Sequence, residues 1–539
     1  MAAQDTYENA RLLGGDLNGT ARYVGMGGAM DALGADISTM GTNPAGIGLF
    51  RHSTASLSAG MVMQSDAHKF DNLGKNNLSF DQIGFVISAP SGNSSYVNYG
   101  FNYHKSRNFD QILSAAGKLN NASLNKLAYG KSTIGDDRNG GYYVEENRGE
   151  VEGWRNNASN ERAYTYTQWD YLYTNGLMWD AVNFDAAEPF KNIFFLADGF
   201  DFDRAHRGWI ADYDFNISGN INNRVFLGLT IGFQDVHYKG YSEYQEYLLD
   251  IDNMYIGNTV LADEHSITGL GFNLKLGAIF RPIEESPFRI GLSIHTPTWY
   301  NLKSENATML INRTDYHALH PEYLNWGYDE YSSGETYEFK FYTPWKFGFS
   351  LGHTFGSTLA LGAGYEYADY SSSDNRIKDG EDYNGESSSY SDDVMNGNTE
   401  RALKGVHTLK VGAEWKPDPS LAVRLGYNYV TSMYNEDGIR DTQLDSPGNW
   451  YASTADYTNW KATNRITCGL GFKFDKLNLD VAYQYNVTNG DYHPFQPNVE
   501  FTDIVANDAG EFVRETNYAA PVSVSNKRHQ LLVTLGYTF

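Results

Sequence analysis

Alternation of apolar and polar side chains is the feature that most restricts how this chain can fold, and it recurs from about position 53 to the last residue. The segment 224–238 shows the pattern. Leu227 and Ile231 fall on one face of an extended chain, and Thr230 and Gln234 fall on the other. A strand with one oily and one polar face suits a barrel wall that separates lipid from a polar interior.

Fourteen segments of this kind are found, and each is close to the roughly 10 residues that a membrane-spanning strand needs. They cover residues 53–68, 78–89, 95–105, 208–218, 224–238, 267–280, 288–299, 337–353, 359–370, 406–415, 421–434, 465–474, 477–485 and 527–539. Pro344 interrupts the eighth candidate, so we expect a break or bulge there, because proline cannot donate to a strand ladder. The last candidate ends on Phe539, which resembles the terminal recognition signal of bacterial outer-membrane barrels.

The links between candidate strands alternate in length. Links after even-numbered candidates are tight turns, whereas links after odd-numbered ones, apart from a modest first link, are long stretches such as residues 239–266 and 371–405. Short turns at one rim and long loops at the other are typical of a bacterial barrel. The sequence therefore predicts an all-β membrane fold, a 14-stranded antiparallel transmembrane β-barrel with an N-terminal hatch and long extracellular loops. Both ends of the barrel fall at the short-turn rim, which would be periplasmic. The soluble alternative is a multi-domain β-sandwich.

The segment Ala21–Phe50 differs from everything after it. It is rich in glycine, Asp36 can cap a short helix, and Asn43-Pro44 indicates a turn. We expect a small plug ahead of the barrel, with residues 1–52 forming the hatch and residues 53–539 forming the barrel, which carries a loop insertion at 106–206. The start MAAQD has no basic or apolar leader region, so a mature form with its export signal removed is expected.

The stretch Ala21–Ala29, followed by Asp36 and Asn43–Gly46, resembles the hatch signature of the FadL family of outer-membrane transporters of hydrophobic compounds, including its toluene-channel branch. The resemblance implies a monomeric barrel whose hatch blocks the lumen and which takes up its ligand by diffusion. It also implies an outer capture groove, an interior pocket and a side opening in the wall. The hatch positions that carry over are Arg22, Gly25, Gly27, Gly28, Asn43, Pro44, Ala45 and Gly46. Arg22 could instead tie the plug to an acidic wall residue.

The interval 106–206 is longer than the loops of familiar family members, so groove positions do not carry over residue by residue. Leucines at near-helical spacing in Phe109–Leu127 predict one or two short amphipathic helices, and the rest of the interval is not strand-like. Apolar side chains of this interval could form a capture groove, or else the core of a folded loop domain. The groove candidates are Leu113, Leu127, Trp169, Leu177, Trp179 and Phe195.

Charge and cysteine content exclude several other classes of protein. With 41 basic and 66 acidic residues the net charge is −25, which disfavours nucleic-acid binding. The single cysteine, Cys468, excludes an internal disulfide. Neither the acidic stretch at 379–386 nor the pair His317 and His320 matches a metal-site pattern, so no metal or cofactor is expected.

The sequence thus favours passive uptake of a hydrophobic small molecule, a long-chain fatty acid or similar, by a monomer in contact with outer-membrane lipid and lipopolysaccharide. The alternatives are a general porin or a surface adhesin or receptor, including one for a haem-type ligand. An outer-membrane enzyme of the phospholipase type is a third class, but no catalytic grouping stands out, so a non-enzyme is expected.

Overall fold

Antiparallel pairing joins each barrel strand to the next along the chain and joins the last strand back to the first. The computed structural model describes residues 5–92, 94–133, 141–144, 151–155, 167–173, 177, 195–249, 253–314, 329–381, 387–497, 505–506, 512–513 and 517–539. Within these residues the main sheet makes fourteen passes and closes on itself. The predicted 14-stranded antiparallel β-barrel is confirmed.

The wall strands are numbered in chain order. The first seven are β1 Thr54–Gln64, β2 Asn76–Pro90, β3 Tyr96–Asn108 continued by Gln111–Lys118, β4 Leu196–Ile221, β5 Val225–Leu249, β6 Tyr255–Phe280, and β7 Arg289–His295 continued by Trp299–Thr314. The other seven are β8 Asp329–Tyr342 continued by Lys346–Phe355, β9 Leu359–Asp369 continued by Asp374–Glu381, β10 Gly405–Asp418, β11 Leu421–Val430, β12 Tyr457–Phe474, β13 Leu477–His493 and β14 Val522–Thr538.

The remaining helices and short strands are not among the fourteen wall strands. The helices are Thr6–Ala10, Ala21–Gly25, Leu124–Thr133, Gln168–Tyr173, Asp393–Ala402 and Pro447–Trp450, with 3-10 turns at Ile37–Gly41, Pro44–Leu49 and Tyr370–Ser372. The minor strands are Gly141–Val144 with Val151–Arg155, Ser387–Ser391, and Val505–Ala506 with Phe512–Val513. No helix in the described ranges combines the length and apolar character needed to cross a membrane.

The outer face of the barrel carries a belt of exposed apolar side chains. Phe215 is 50% exposed, Leu425 is 64% exposed and Leu535 is 48% exposed, while the residue before each, Asp214, Arg424 and Thr534, is buried. A soluble surface does not present so large a continuous apolar area. A belt of this kind, set on strands whose polar backbone groups are all paired within the wall, is suited to lipid.

Short and long links alternate around most of the barrel, but the link after β5, residues 250–254, is shorter than the link after β6, residues 281–288, and the interval 106–206 also differs from the prediction. Gln111–Lys118 is a strand rather than a helix, and β4 begins at Leu196. The two pair from Gln111 with His206 to Lys118 with Gly199. The apolar residues of 111–118 fit either periodicity, and the partner ladder that decides between them lies about 90 positions away, which spacing alone does not reveal.

The link predicted at 239–266 is also mostly strand. β5 continues to Leu249 and β6 starts at Tyr255, so β4, β5 and β6 project together beyond the belt at the long-loop end. Their projecting halves carry polar as well as apolar side chains on the outer face, such as Lys239 and Glu243, and the sequence rule for lipid-facing strands misses such segments.

Several wall strands are interrupted, including β3 at residues 109–110 and β9 at residues 370–373, and the breaks in the neighbouring strands β7 and β8 are distinguished by proline. β7 is interrupted at residues 296–298 and β8 at residues 343–345, and each break contains a proline, Pro297 or Pro344. The break expected at Pro344 is confirmed, whereas the one at Pro297 was not predicted. The breaks lie side by side, because the Thr298 N–H donates to Thr343 Oγ1 at 2.8 Å and the Thr343 N–H donates to the Thr298 carbonyl at 3.1 Å.

Residues 5–50, called here the N-terminal segment, pack against the inward-facing side of the wall. Their close approach depends on wall glycines. A Cβ atom on Gly362, Gly412 or Gly426 would overlap backbone atoms of Ala29, Met26 or Gly27, respectively. The backbone of the segment therefore lies directly against the backbone of β9, β10 and β11.

Replacing Gly412 with alanine should loosen this packing. The new methyl group would have to displace the Met26 carbonyl, and overpacking of this kind costs about 1–3 kcal/mol. We expect a lower unfolding temperature and faster protease cleavage within residues 5–50. Gly219→Ala is the matched control, because nothing lies within 4 Å of the added atom. Equal behaviour of the two variants would contradict this account of the packing.

Candidate functional site

Buried charges hold the first helix of the N-terminal segment at the long-loop end. Arg440, between β11 and β12, contacts Asp5 at 2.5 Å and Glu8 at 3.3 Å through Nη2. His265 of β6 places Nδ1 3.0 Å from the other Glu8 oxygen. All four side chains are buried. Such pairs fix the position of the helix, because separating them would leave an uncompensated charge in the interior.

The predicted hatch glycines lie where the segment presses on the wall. A Cβ at Gly25 would be 3.3 Å from the Cα of Gly469, and one at Gly27 would be 2.8 Å from the backbone nitrogen of Tyr427. Gly27 and Gly28 have φ angles of 63° and 78°, in the left-handed region that favours glycine. These glycines therefore serve close contact between two backbones.

Arg22 is bound to an acidic residue of the wall. Its Nε and Nη2 donate to the two carboxylate oxygens of Glu414 on β10, at 2.9 and 3.1 Å, and its Nη1 donates to the Ala35 carbonyl at 2.9 Å. Glu414 also accepts from Arg424 Nε at 2.7 Å. Because the guanidinium is fully engaged, Arg22 is placed as an anchor of the segment.

The predicted turn Asn43–Gly46 contacts β4, β5 and β6. The Asn43 side chain caps a 3-10 helix by accepting from the Ala45 N–H at 3.2 Å. The Pro44 carbonyl accepts from the Ser218 hydroxyl at 2.8 Å. Gly228 and Gly277 leave room for the turn, since a side chain on either would overlap Pro44 or Ala45. The four predicted residues form one buried patch on this side of the wall.

A cavity of about 400 Å³ lies between the N-terminal segment and the wall. Its lining mixes aromatic and aliphatic side chains, such as Phe109, Tyr370 and Val430, with charged ones. Nine lysine and arginine side chains reach it. The carboxylates that do so are Asp16, Asp212, Glu366 and Asp456. The cavity is thus amphipathic and richer in positive than in negative groups, although the chain as a whole is strongly acidic.

The positive charge is least compensated around Asp16. Arg465 and Arg528 both approach this one carboxylate, at 3.9 and 3.8 Å, and Arg107 acts on it electrostatically. Arg107 donates instead to the Leu13 carbonyl at 2.7 Å. Asp16 is the only ion-pair partner of these three guanidinium groups among the described residues, and Asp81 and Asp110 act on Arg528 without forming an ion pair, so positive charge is left available to an anionic ligand.

Lys346 is the other uncompensated cation of the cavity. It follows the break in β8 and lines the cavity beside it. Lys346 forms no ion pair within the described ranges, although it lies near enough to act electrostatically on Glu366 and His295. An anionic group that reached the break would therefore meet a free ammonium.

The cavity extends to both wall breaks. Its lining includes Thr296 and Thr298 from β7 and Thr343 and Pro344 from β8. The ladder is irregular at these residues: Thr296 and Thr343 keep a backbone hydrogen bond each, and threonine hydroxyls supply further ones. Thr296 Oγ1, for example, accepts from the Leu274 N–H at 3.0 Å. A wall held by side chains at this point can be opened at a smaller cost than a continuous ladder.

The predicted groove residues gather in one buried cluster at the long-loop end. Leu113, Leu127, Trp169, Leu177 and Phe195 all belong to it, together with Phe200 and Tyr244 from the projecting strands. Trp179 lies outside the described residues. The cluster packs as a core, which is the arrangement of a folded loop domain, and a ligand-capturing role for it stays a prediction.

One buried group in the described chain has the residue types of a metal site. His104, Asp212 and Asp214 bring ligand atoms within 4.8 Å of one another. However, the Lys275 ammonium lies 2.8 Å from Asp214 and 3.4 Å from Asp212, so it supplies the positive charge that these carboxylates need. The group is an ion-pair network of the lumen.

Glu246 lies near the outer end of β5, well beyond the apolar belt. Its Oε1 accepts from the Leu124 N–H at 2.6 Å, at the start of the helix Leu124–Thr133, and from the Tyr244 hydroxyl at 2.8 Å, while its Oε2 is buried without a partner. Burial raises the pKa of this carboxyl to about 7, and the two hydrogen bonds only partly offset that effect.

The raised pKa of Glu246 predicts that the stability of the loop region around Leu124–Thr133 depends on pH. A carboxyl whose pKa is raised on folding stabilises the folded state below its unfolded pKa, and that stability is lost as the pH rises through about 7. We expect hydrogen-exchange protection of Leu124–Thr133 to fall about tenfold or more between pH 5 and pH 8, after correction for intrinsic exchange. Glu246→Gln keeps both acceptor bonds and should remove the dependence. If Glu246→Gln showed the same pH dependence of exchange protection as the parent, Glu246 would not be its cause. The amides of β11, which lie far from Glu246 in sequence, serve as the internal control.

No family model matches this chain, and no curated protein matches it either. Among solved structures it is similar to a FadL homologue of Pseudomonas aeruginosa, with 13% identity, a TM-score of 0.47, and coverage of 97% of this chain and 99% of that one. It is also similar to the toluene transporter TbuX of Ralstonia pickettii, with 10% identity, a TM-score of 0.48 and coverage of 97% and 99%. A third is the toluene transporter TodX of P. putida, with 11% identity, a TM-score of 0.46 and coverage of 97% and 99%. The first of these carries the name of the family that Ala21–Ala29 and Asn43–Gly46 resemble.

Proposed function

We propose that this protein mediates passive uptake of hydrophobic and amphipathic small molecules, such as long-chain fatty acids, across the bacterial outer membrane. The observation that carries the proposal is an internal amphipathic cavity whose lining includes two adjacent breaks in the wall. A cavity that meets the wall where the ladder is interrupted offers a sideways route into lipid. An apolar ligand gains about 0.8 kcal/mol for each methylene that it buries there, so no energy source is required.

In this proposal the long-loop end faces the outside and the tight turns face the periplasm, as in bacterial barrels with this pattern of links. The ligand enters beside the folded loop region and moves into the cavity. There the arginines around Asp16 attract an anionic headgroup, while residues such as Phe109 and Tyr370 contact its chain. It leaves between β7 and β8. The protein acts as a monomer surrounded by outer-membrane lipid and lipopolysaccharide.

The N-terminal segment acts as a gate in this scheme. The turn Asn43–Gly46 and the wall glycines Gly228 and Gly277 make close contact below the cavity, so a small shift of the turn would alter the space available to ligand. The segment also weighs against a general porin, because it occupies the lumen that polar solutes would have to cross.

Lys346 should matter for anionic ligands alone. Removing its charge with Lys346→Gln takes away one charge-assisted hydrogen bond, so uptake of dodecanoate below saturation should fall about tenfold. Uptake of neutral 1-dodecanol should not change. The measurement is the initial uptake rate of each labelled compound in cells that produce equal amounts of protein.

The control for this variant is Lys461→Gln. Lys461 also lines the cavity, but Asp491 already neutralises it at 2.8 Å. Normal dodecanoate uptake by Lys346→Gln, or an equal loss for both compounds, would show that Lys346 does not guide the headgroup.

The sideways route can be closed with a disulfide. Thr298→Cys combined with Thr343→Cys would link the two breaks, whose backbones are already joined by hydrogen bonds. In a Cys468→Ala background, oxidation should slow uptake of both compounds about fivefold or more, and a reductant should restore it, because the wall can no longer part.

The matched control is Thr463→Cys with Thr488→Cys, which links facing residues of β12 and β13 beside a register shift, where neither strand is interrupted. Oxidation of this pair should leave uptake unchanged. If the stapled breaks transported at the full rate, the exit would have to lie elsewhere.

A further inference from the structure

Four arginines meet at the tight-turn end of the barrel, beneath β4 to β7. Arg51 follows the N-terminal segment, Arg224 lies in the turn between β4 and β5, Arg281 ends β6, and Arg289 begins β7. Arg51 and Arg281 both donate to Asn223, through its side chain and its backbone carbonyl, respectively. Arg281 and Arg51 also repel Arg289 electrostatically. These contacts show that the arginines form one cluster.

Carbonyl oxygens, rather than carboxylates, satisfy most of this cluster. Arg281 donates to the carbonyls of Glu284 and Ser286 at 3.1 and 3.2 Å, and Arg289 donates to the Leu33 carbonyl at 2.8 Å. A neutral carbonyl accepts a hydrogen bond but cancels no charge, so the positive charge of the cluster persists.

The charge balance confirms the excess. In the described part of the chain the only carboxylate in ion-pair contact with these arginines is Glu284, 3.6 Å from Arg224 and 79% exposed, and Glu285 follows it in the same turn, so four arginines face at most two exposed carboxylates. The Nε atoms of Arg281 and Arg289 are buried and have no hydrogen-bond partner. Clustered guanidinium groups with so little counter-charge are suited to an oxyanion, which would exchange with the neutral carbonyl acceptors.

The surroundings of the cluster are apolar. Ile221, Phe280 and Ile283 lie beside it and are 52%, 45% and 58% exposed. Directly above, on the lipid side of β4 to β8, there is an open groove of about 800 Å³ lined almost wholly by apolar atoms, including Leu227 and Leu292. Positive charge therefore borders an apolar groove at the edge of the belt.

We propose that this end of β4 to β7 binds the phosphate of a membrane phospholipid, whose acyl chains lie in the groove above. A phosphodiester presents two acceptor oxygens to the guanidinium groups of Arg224 and Arg281, both of which are partly exposed. The chains match the groove in polarity. The inference requires that the barrel lies in a bilayer, but it does not depend on transport. Loss of lipid binding and loss of uptake are therefore measured separately, and either proposal can fail without the other.

The test uses the full chain purified in mild detergent and native mass spectrometry with added dioleoyl phosphatidylglycerol. Arg224→Gln combined with Arg281→Gln should lower the bound fraction about fivefold or more, since each charge-assisted hydrogen bond contributes about 1.5–3 kcal/mol. Arg51 and Arg289 are left intact, because the Arg51 contact with Asn223 and the Arg289 contact with Leu33 tie the N-terminal segment to the wall. Heat-dependent migration on gels reports whether each variant is folded. If the double variant folds poorly, Arg281→Lys is used instead, and it should retain part of the binding.

The matched control is Lys473→Gln with Lys476→Gln. It removes the same charge from the same end of the barrel, at the exposed turn between β12 and β13. Phosphatidylglycerol binding should be normal in this control, and dioleoylglycerol, which lacks the phosphate, should bind neither protein. Three results would overturn the proposal: equal retention by the arginine variant and the parent, an equal loss in the lysine control, or full displacement of the lipid by equimolar inorganic phosphate, which would assign the cluster to the free ion.

Discussion

Closure of the hydrogen-bond ladder is the constraint on which the rest of this structure depends. Pairing of β1 with β14 leaves no strand edge exposed to lipid, where an unpaired backbone group would cost several kcal/mol. The ladder is continuous along most of the wall, and the interruption at residues 296–298 and 343–345 differs from those at 109–110 and 370–373 in containing a proline on each strand. There the hydroxyls of Thr296 and Thr343 stand in for ladder partners. The wall thus keeps its polar groups satisfied at the break while giving up the rigidity that a continuous ladder provides.

The charge of the interior cavity is opposite in sign to the net charge of the chain. The chain carries a net charge of −25, yet the cavity gathers more cations than carboxylates, and the arginines around Asp16 share a single counter-charge. Charge of this kind at the end of an apolar path suits a ligand with an anionic head and a hydrocarbon tail. The glycines of β9 to β11 complete the arrangement, since they let residues 5–50 lie against the wall and confine the remaining space to the cavity.

Sequence patterns predicted the barrel well and the site poorly, for physical reasons. Period-two alternation marks a lipid-facing strand directly, so the fourteen passes and the break at Pro344 could be found in advance. Gln111–Lys118 could not, because its conformation depends on a ladder with β4. The alternation of Phe200 and Phe202 with aspartates was a usable signal for the start of β4 that was missed. Lys346, Arg465, Arg528 and Asp16 come to line one cavity only through closure of the barrel, and no local motif predicts this arrangement.

The seam between β1 and β14 has a consequence for biogenesis. Residues 54–64 emerge early during synthesis and export, and their partner, residues 522–538, emerges last. The barrel therefore cannot close until residues 522–538 are present, and before that the sheet stays open at the edge of β1. During that interval residues 5–50 have to settle on the concave side, against Gly362 and Gly412, because zipping the seam afterwards would leave them no way in. The position of the seam thus requires that residues 5–50 dock before β1 pairs with β14.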